Sequence, residues 1–554
     1  MRQWKAKAIS IAAAALTAGT ASGSIPVCAE DQVIDVQRGD LNEDGKVTVE
    51  DAQLALLEYA EQVAEKPGFL TDGQFLAADV NKDGYVNVAD AQTMLNYYCQ
   101  TGLIGEEKSW AAFFSPEYSG MEVPDTGDKL TICAWENYAD ISDMAWHFMN
   151  MHPEFNGLVE FKSIGTWEDD GNVEKFEKYL ADGNDMDLFV VPNQSLNKFF
   201  DQSSHILPVS KLGFKDSDFD CCYPAAVETG LDKDNVLRAL AWEMEPGGYV
   251  YRSDLAEAYF GVKTPDEMQE LVKDWATFLK TAEKLSELTK GSGKMVASYY
   301  DFWDMLPSMR KTPWLDAQNM LQLGQEEKVF IESFRSLVVK KYCTDLMSWE
   351  PNLEESNWTK LFRNSGTTQE THALGTFMNF MDVSKQCDLS EIETDPEGKH
   401  YDCYGKFNIT VGPAAWTDIQ SFDSCYIIPD TADNGSLARQ FLESFITDEA
   451  NAADFIERTH TFSCNRKANQ LIGQSGYKNP LLGGQSEYSV FDKAASQATV
   501  KYARSQFDLT LNTRFWLCLI DNTSFNYSPD SLLKQLDLNC CDLPQIKHIT
   551  DIEN

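Results

Sequence analysis

Two acidic segments near the start of the chain, residues 40–51 and 79–90, repeat one pattern and constrain the fold more than any other feature. Each has oxygen-bearing side chains at positions 1, 3 and 5 and a glycine, Gly45 or Gly84, at position 6. Three such side chains converge on one point only where the chain turns sharply, and glycine permits that turn. A single segment could be an Asx-rich turn, but the repetition predicts two cation-binding loops.

The donor set of each loop is typical of calcium, a hard cation that takes six or more oxygen ligands. Position 7 would offer a backbone carbonyl, position 9 (Thr48 or Asn87) a bound water, and position 12 a carboxylate at the start of a helix. We therefore predict two calcium ions. The predicted ligands are Asp40, Asn42, Asp44, Lys46 and Asp51 in the first loop and Asp79, Asn81, Asp83, Tyr85 and Asp90 in the second.

The segments that follow the loops, residues 47–53 and 86–92, align without a gap and continue at helical spacing. The residues before Asp40 are few and show no helical period, so each repeat is predicted to be a loop followed by one exit helix. This duplicated unit resembles a type I dockerin over about residues 36–103. The resemblance implies a small all-α calcium-binding module that binds a cohesin domain of a cellulosome scaffold.

In dockerins, loop positions 10 and 11 and the exit helices contact the cohesin. Those positions are Val49-Glu50 and Val88-Ala89 in this chain, where some dockerins have a pair of hydroxyl residues. The departure leaves the type of cohesin open.

Residues 1–29 are predicted to be an export signal. Arg2, Lys5 and Lys7 precede an apolar stretch that is too short to span a bilayer, and a small-residue cleavage site ends at Ala29. Cleavage is favoured over lipid attachment at Cys28, because Ile-Pro-Val is a poor match to the residues that precede lipoprotein cysteines. With no later run of eighteen apolar residues, we expect no transmembrane segment and a secreted, extracellular protein. The dockerin resemblance implies that it is held at the cell surface in a cellulosome.

The composition limits the partners and the redox chemistry. The 554 residues, of which 43% are hydrophobic, allow a large core and several domains. A formal charge of −41 disfavours nucleic acid and anionic membranes as partners. Of the 13 cysteines, those other than Cys28 are even in number and permit disulfides, but no CxxC spacing indicates which would pair.

Residues 104–128, rich in Gly and Pro, are predicted to be a linker. After it, short apolar strands alternate with helix-periodic stretches. The strands are predicted at residues 129–135, 158–161 and 187–191 and the helices at residues 139–151, 172–180 and 194–200. Such alternation predicts an α/β fold with a parallel sheet, whose ligands bind beyond the carboxyl ends of the strands.

The middle of the chain carries a second family pattern, in which a strand ending at Arg252 leads into a capped helix and then two amphipathic helices. The matching residues are Tyr251, Asp254, Leu255, Gly261, Pro265, Trp275, Phe278, Ala282 and Leu285, with Arg252 in place of the usual Asn. A late helix at residues 436–450 and a return segment at residues 462–465 continue the match. The pattern covers about residues 125–473 and resembles extracellular solute-binding proteins of ABC transporters, the carbohydrate-binding cluster in particular.

This resemblance implies a two-lobed, periplasmic-binding-protein-like fold with a hinge over residues 129–554, closing on a carbohydrate. Members of this cluster stack aromatic rings on sugars and bind sugar hydroxyls through Asp, Asn and Glu. The predicted ligand-binding residues, chosen at strand ends, are Trp135, Glu136, Asn137, Asn193, Trp242 and Trp416, with Trp167, Trp303, Trp314 and Glu243 as further candidates. Because aromatic residues also dominate protein cores, only a minority of these tryptophans is expected to line the cleft.

The sequence thus favours a non-catalytic, cellulosome-associated binding protein that is anchored through a calcium-dependent dockerin–cohesin interaction and captures an oligosaccharide. The alternative is a dockerin-bearing glycoside hydrolase or another polysaccharide-degrading enzyme, which needs two carboxylates across a cleft. The chain has no Gly-x-Ser-x-Gly or His-Glu-x-x-His motif, and its 7 histidines lack ligand-like spacing. With 87 acidic residues, the alternative stays open.

Overall fold

The computed structural model describes residues 37–135, 139–166, 171–346, 357–363, 370–384, 402–418, 424–502, 505–521 and 525–548. The predicted export signal lies outside these residues. The chain divides after Ile104 into a small unit and a large unit, Gly105–Asn554.

The small unit is helical. Its elements are α1 (Val49–Val63), α2 (Asp72–Ala78), α3 (Val88–Tyr98) and a short π-helix (Cys99–Ile104). Each of the three α-helices begins at a capping box, in which a Thr or Asn side chain and the third helical residue satisfy each other's backbone N–H groups. Helices α1 and α3 pack on each other around buried Ala52, Ala55 and Met94.

Helix α2 corrects one prediction. Each repeat was expected to be a loop and an exit helix, and the first repeat is, but α2 leads directly into the second loop. Its start is encoded by Thr71 and Gln74, which form the capping box. The connection before it is held by buried Glu58, whose Oε2 accepts hydrogen bonds from the N–H groups of Phe69 (2.8 Å) and Leu70 (3.2 Å).

The large unit begins with the elements of its first lobe. In chain order they are α4 (Trp110–Phe114), β1 (Leu130–Ala134), α5 (Ala139–Met151), β2 (Val159–Ser163), α6 (Asn172–Ala181), β3 (Leu188–Pro192), α7 (Leu196–Gln202), α8 (Pro224–Thr229) and β4 (Ala239–Ala241). A middle stretch follows with β5 (Glu245–Arg252), α9 (Ser253–Phe260), α10 (Pro265–Val272), α11 (Trp275–Leu288), β6 (Gly293–Lys294), α12 (Leu306–Met309), α13 (Gln325–Val339), α14 (Asn357–Arg363), β7 (His372–Ala373), β8 (Gly375–Asn379), α15 (Phe380–Ser384), β9 (Phe407–Thr410) and β10 (Trp416–Asp418). The last elements are β11 (Ser424–Ile427), α16 (Gly435–Ile446), α17 (Glu449–Thr459), α18 (Arg466–Gln474), α19 (Tyr488–Ala495), α20 (Asp508–Ile520) and α21 (Pro529–Asn539).

The first lobe is built on a five-stranded sheet in the order β2-β1-β3-β11-β4. Strands β1, β2 and β3 are parallel, as predicted, whereas β11 runs antiparallel to both of its neighbours. Fully buried Asp187 sits at the start of β3 and accepts backbone hydrogen bonds from Thr131 of β1 and from Asp433 and Asn434 before α16. The Asp187 carboxylate thus joins β1 and β3 to the segment before α16, which lies 247 residues after Asp187 in the chain.

A second, four-stranded antiparallel sheet lies between two hydrophobic cores. Strand β5 pairs with β8 on one side and with β9 and β10 on the other. Because side chains alternate along a strand, Val250 enters the core of the first lobe while Tyr249 and Tyr251 enter the core of the second. The two-lobed architecture predicted from the sequence is therefore present.

In the described part of the chain, the connections between the lobes follow β4, β10 and α19, and are called here the first, second and third crossover. The third crossover is anchored on the first lobe by Glu228 of α8. Its Oε2 accepts hydrogen bonds from the Thr499 hydroxyl (2.6 Å) and from the N–H groups of Val500 (2.9 Å) and Lys501 (3.1 Å).

The segment predicted to be a linker, residues 104–128, packs on the first lobe from residue 105 onward. Trp110 is buried and stacks on Phe114, which contacts Phe155. Asp125 accepts hydrogen bonds from the N–H and the hydroxyl of Ser436 at the start of α16. The segment therefore belongs to the large unit in this structure.

Glycine at position 247 of β5 makes room for Trp416 of β10. A Cβ atom at Gly247 would lie 1.9 Å from the Trp416 ring, which is 1% exposed and cannot move outward without opening the core of the second lobe. We expect Gly247→Ala to lower the free energy of unfolding of the large unit by about 1–3 kcal/mol, the usual cost of overpacking. Urea denaturation measures this change.

The matched control is Gly473→Ala in α18, where the nearest atom to a new Cβ would be 3.7 Å away. Alanine is the better helix former, so this variant should be as stable as the parent or more stable. Equal stability of the two variants would contradict the close contact at Trp416.

Candidate functional site

The first acidic loop of the small unit folds around its own carboxylates. Asp40 accepts hydrogen bonds from the N–H groups of Asp44 (3.1 Å) and Gly45 (2.8 Å), and the turn is closed by Gly45 with φ of 83°. The second loop repeats this geometry at Gly84, with φ of 85°, whose N–H donates to Asp79 (3.0 Å). Both glycines occupy the left-handed region that L-residues avoid, as the sequence predicted.

The carboxylate at position 12 of each loop is buried at the start of an exit helix. Asp51 accepts backbone hydrogen bonds from Leu41 (2.8 Å) and Thr48 (2.8 Å), and Asp90 accepts them from Val80 (3.0 Å) and Asn87 (2.9 Å). Each carboxylate therefore joins the first residues of its loop to the first turn of its helix.

The residues fit a cation. Asp79 Oδ1 is buried and has no hydrogen-bond partner among the described residues. Burial also raises the pKa of Asp90 to about 6 and raises that of Asp79 above its ordinary value. A hard divalent cation would offset the cost of burying these charges, and the oxygen donors of both loops are those that calcium prefers.

The large unit has a cavity of about 430 Å³ between its lobes. One wall is the start of α6 and the length of α7 from the first lobe, and the other is the end of the third crossover and the start of α20. The lining residues are Gly171, Asn172, Val173, Glu174, Ser195, Lys198, Phe199, Gln202, Gln506, Phe507, Thr510 and Leu543. The size is within the range of small-molecule sites, about 300–1,000 Å³.

Hydrogen-bonding groups from both lobes meet at this cavity. The Gln202 amide donates to Gln506 Oε1 across 3.0 Å, which joins α7 to the third crossover. Ser195, which is 5% exposed, has no hydrogen bond from its hydroxyl among the described residues. The cavity therefore has a bridge between the lobes and a free hydroxyl in its wall.

A sequence profile described as bacterial extracellular solute-binding protein matches residues 153–481, more than half of the chain. The chain belongs to this family. A second profile, the dockerin type I domain, matches residues 38–98. Both predicted resemblances are thereby confirmed, and the small unit is the dockerin module.

Solved structures confirm the two-lobed fold of the solute-binding unit. An extracellular solute-binding protein of family 1 superposes with a TM-score of 0.60 at 16% identity, over 75% of this chain and 99% of that one. The sugar-binding protein MalE from Xanthomonas citri gives 0.56 at 12% identity, over 74% and 96%. The galacto-N-biose/lacto-N-biose I-binding protein of Bifidobacterium longum gives 0.52 at 11%, over 77% and 98%.

No curated protein sequence matches the chain. In the described part of the chain, no helix is long and apolar enough to cross a membrane.

The solute-binding unit buries the tryptophans that were predicted to contact a ligand. Trp135 is fully buried and packs edge-on against Phe189 of β3, and Trp242 packs on Tyr426 of β11. Trp416 lies in the core of the second lobe. A ligand role for these three stays a prediction, and in this conformation each serves as core.

The remaining predicted positions divide into three groups. Glu136, Asn137 and Trp167 lie outside the described residues. Asn193 is half-buried at the end of β3, and its Oδ1 accepts a hydrogen bond from the Cys425 thiol (3.0 Å). Trp314 and Glu243 are buried, whereas Trp303 is half-buried against Trp516.

Sequence reasoning missed the polar residues of the cavity. Ser195 lies two positions after Asn193, so the strand-end rule that selected Asn193 could have included it. Gln202 and Gln506 are 304 positions apart, and no local pattern marks either one.

We expect calcium removal to unfold the dockerin module and leave the solute-binding unit folded, because Asp51, Asp79 and Asp90 are buried carboxylates at the centre of the two loops. Hydrogen-exchange mass spectrometry of the full chain with calcium or with EGTA measures this. Protection should be lost over residues 38–98 only. Asp40→Ala and Asp79→Ala should each weaken calcium binding at least about tenfold, whereas Asp72→Ala, an exposed carboxylate outside both loops, should not.

The pH dependence of calcium binding tests the second loop. Calcium binds ionised carboxylates, and burial in the folded module raises the pKa of Asp90 to about 6, so protons compete with calcium for the second loop at lower pH. Calcium affinity at the second loop should fall as the pH drops through 6. Unchanged protection in EGTA would contradict the assignment of these loops.

Proposed function

We propose that this protein is a secreted, non-catalytic binding protein that captures a carbohydrate between the lobes of its solute-binding unit and attaches to a cohesin through its dockerin module. The observation that carries the first half is the cavity between α6, α7 and α20 in a fold shared with sugar-binding proteins. The second half rests on the paired calcium loops.

The chemistry of the cavity suits a sugar. Ser195, Gln202, Gln506 and Thr510 offer hydrogen-bond donors and acceptors for hydroxyl groups, as ligand sites with a few placed polar groups do. Phe199, Phe507 and Leu543 line the same space and can cover the apolar C–H face of a sugar ring. We add these residues to Asn193 and to the predicted Trp135, Glu136 and Asn137, which lie at or directly after the carboxyl end of β1.

The alternative, a hydrolase, requires an acid and a base or nucleophile facing each other, about 5–9.5 Å apart. Glu174 is the one carboxylate among the described residues that line the cavity. This arrangement supports binding rather than hydrolysis.

Carbohydrate binding should raise the melting temperature of the solute-binding unit, because a ligand that binds only the native state stabilises it by mass action. The measurement is a thermal-shift screen of the full chain, with calcium, against plant-wall oligosaccharides and simple sugars. Ser195→Ala and Gln506→Ala should lower the affinity for the ligand found by about 3–10-fold each, the effect of one hydrogen bond. Gln318→Ala, an exposed glutamine outside the cavity, is the matched control.

A melting shift without new reducing ends would establish a binding protein. Release of reducing ends would instead show the hydrolase. If no sugar shifts the melting temperature, the carbohydrate proposal fails, and the dockerin proposal is judged separately.

The dockerin module exposes apolar residues at the start of both exit helices, and on α1 they continue as a stripe. On α1 the exposed residues Val49, Leu56 and Val63 lie on one face at helical spacing, and on α3 Val88 begins the equivalent stripe. These are loop position 10 and the exit helices, where the dockerin resemblance places the cohesin contacts. Val49 is 40% exposed and Val88 51% exposed, so both side chains are available to a partner.

We expect the full chain to bind a cohesin domain in calcium and to release it in EGTA. The double variant Val49→Asp, Val88→Asp should lose at least about 30-fold in affinity, since a charge on each stripe removes apolar contacts of hot-spot size. Leu76→Asp, an exposed leucine on α2 outside both stripes, should bind as the parent does. Biolayer interferometry against a cohesin panel measures this, and failure of the calcium-loaded parent to bind any cohesin would count against docking.

A further inference from the structure

The imidazole ring of His205 lies between two carboxylates on the surface of the first lobe. Its Nδ1 atom is 3.0 Å from both oxygens of Asp430, which follows β11. Its Nε2 atom is 3.3 Å from Oε2 of Glu177 on α6. Since His205 and Asp430 are 225 positions apart, no spacing along the chain indicates that these three side chains meet.

The backbone holds the three side chains in place. The Asp430 N–H donates to the His205 carbonyl (2.9 Å), and their neighbours Ile206 and Pro429 form an antiparallel bridge. The segment after α7 is therefore paired with the segment after β11. Glu177 lies near the middle of α6, a helix whose opposite face is buried in the core of the first lobe.

The geometry matches that of a metal-ligating histidine. Such a histidine donates one ring N–H to a carboxylate, which fixes the tautomer and leaves the other ring nitrogen to bind the metal. With Nδ1 donating to Asp430, Nε2 of His205 is an acceptor that faces an acceptor oxygen of Glu177, and two acceptors need a proton or a metal ion between them. Zn–N and Zn–O bonds of about 2.0–2.2 Å set two tetrahedral ligands about 3.3–3.5 Å apart, and Nε2 and Oε2 are 3.3 Å apart.

The surroundings leave room for an ion and its bound water. A cavity of about 570 Å³ is lined by the three side chains, with Thr431 as a further oxygen donor. Oε1 of Glu177 has no hydrogen-bond partner among the described residues. Lys178 also lines the cavity, but its Nζ atom pairs with Asp182 (2.6 Å). The carboxylate of Glu177 is thus not engaged by this lysine.

We propose that Nε2 of His205 and the carboxylate of Glu177 bind a divalent transition-metal ion, with zinc as the best match, and that Asp430 holds the imidazole in its ligating orientation. An imidazole nitrogen together with a carboxylate oxygen suits zinc better than calcium, which takes oxygen ligands. Water completes the coordination shell. This site is separate from the calcium loops and does not depend on the carbohydrate proposal.

A bound ion would fix the position of α6. It joins this helix to the paired segments after α7 and β11, and the first residues of α6 line the cavity between the lobes. The metal would therefore stabilise one wall of that cavity from outside it.

The test titrates the full chain with Zn²⁺ at neutral pH, with the dockerin loops saturated by calcium. Isothermal titration calorimetry should find one equivalent of bound zinc. The melting temperature of the solute-binding unit should rise with the zinc concentration, because an ion that binds only the native state stabilises it by mass action.

Variants of the three residues locate the bound ion. His205→Gln and Glu177→Gln should each lower the zinc affinity at least about tenfold, because each removes a ligand. Asp430→Asn should lower it by about 10–100-fold while one equivalent still binds, the usual effect of changing a residue that orients a ligand. Circular dichroism checks that each variant is folded.

The matched control is His152→Gln. Nδ1 of His152 is 3.6 Å from Oε1 of Glu154, so this variant removes another histidine–glutamate pair of the first lobe and should leave the zinc affinity unchanged. A parent chain that binds no zinc would show that His205 only bridges its two carboxylates as a cation, and would overturn the proposal. Equal zinc affinity in the parent and in His205→Gln would overturn it as well.

Discussion

Both lobes depend on strand β5, because side chains on its two faces pack in two different hydrophobic cores. Val250 packs in the first lobe, and Tyr249 and Tyr251 pack in the second. Such a strand is hydrophobic on both faces and must also leave room for its neighbours. Gly247 and Gly248 provide that room beside Trp416 and Ile409, so the close approach of β9 and β10 rests on two missing side chains.

The dockerin module is subject to a different constraint, because carboxylates are buried beside its small apolar core. Asp51 and Asp90 are buried, and each organises a loop through backbone hydrogen bonds before any cation is considered. The loops are thus shaped by the same carboxylates that would bind calcium. A module of this size has few apolar residues with which to replace them, and for this reason metal binding and folding are one process in such domains.

The sequence predicts features that are encoded locally and misses those that arise from distant residues. Each acidic loop carries its pattern within twelve residues, and the parallel strands and helices of the first lobe follow from alternation, so both were predicted close to their observed bounds. Helix α2 was missed although Thr71 and Gln74 mark its start. Trp135 and Trp416, chosen at strand ends, are buried in this structure, because a large apolar ring stabilises a core, and their ligand role stays a prediction. The antiparallel direction of β11 had no local signal at all.

The residues that line the cavity could not be predicted from any single segment of the sequence, because they come from segments about 300 residues apart. Its walls come from α7 in the first lobe and from the third crossover, which Glu228 anchors to the first lobe before the chain enters the second at α20. A ligand that contacts both Ser195 and Gln506 therefore contacts both lobes at once. Such a ligand binds best to the arrangement in which α7 and the crossover are close, and it can favour that arrangement only by this difference in affinity. The hydrogen bond between Gln202 and Gln506 already joins these two elements, so less binding free energy from the ligand is required to hold them close.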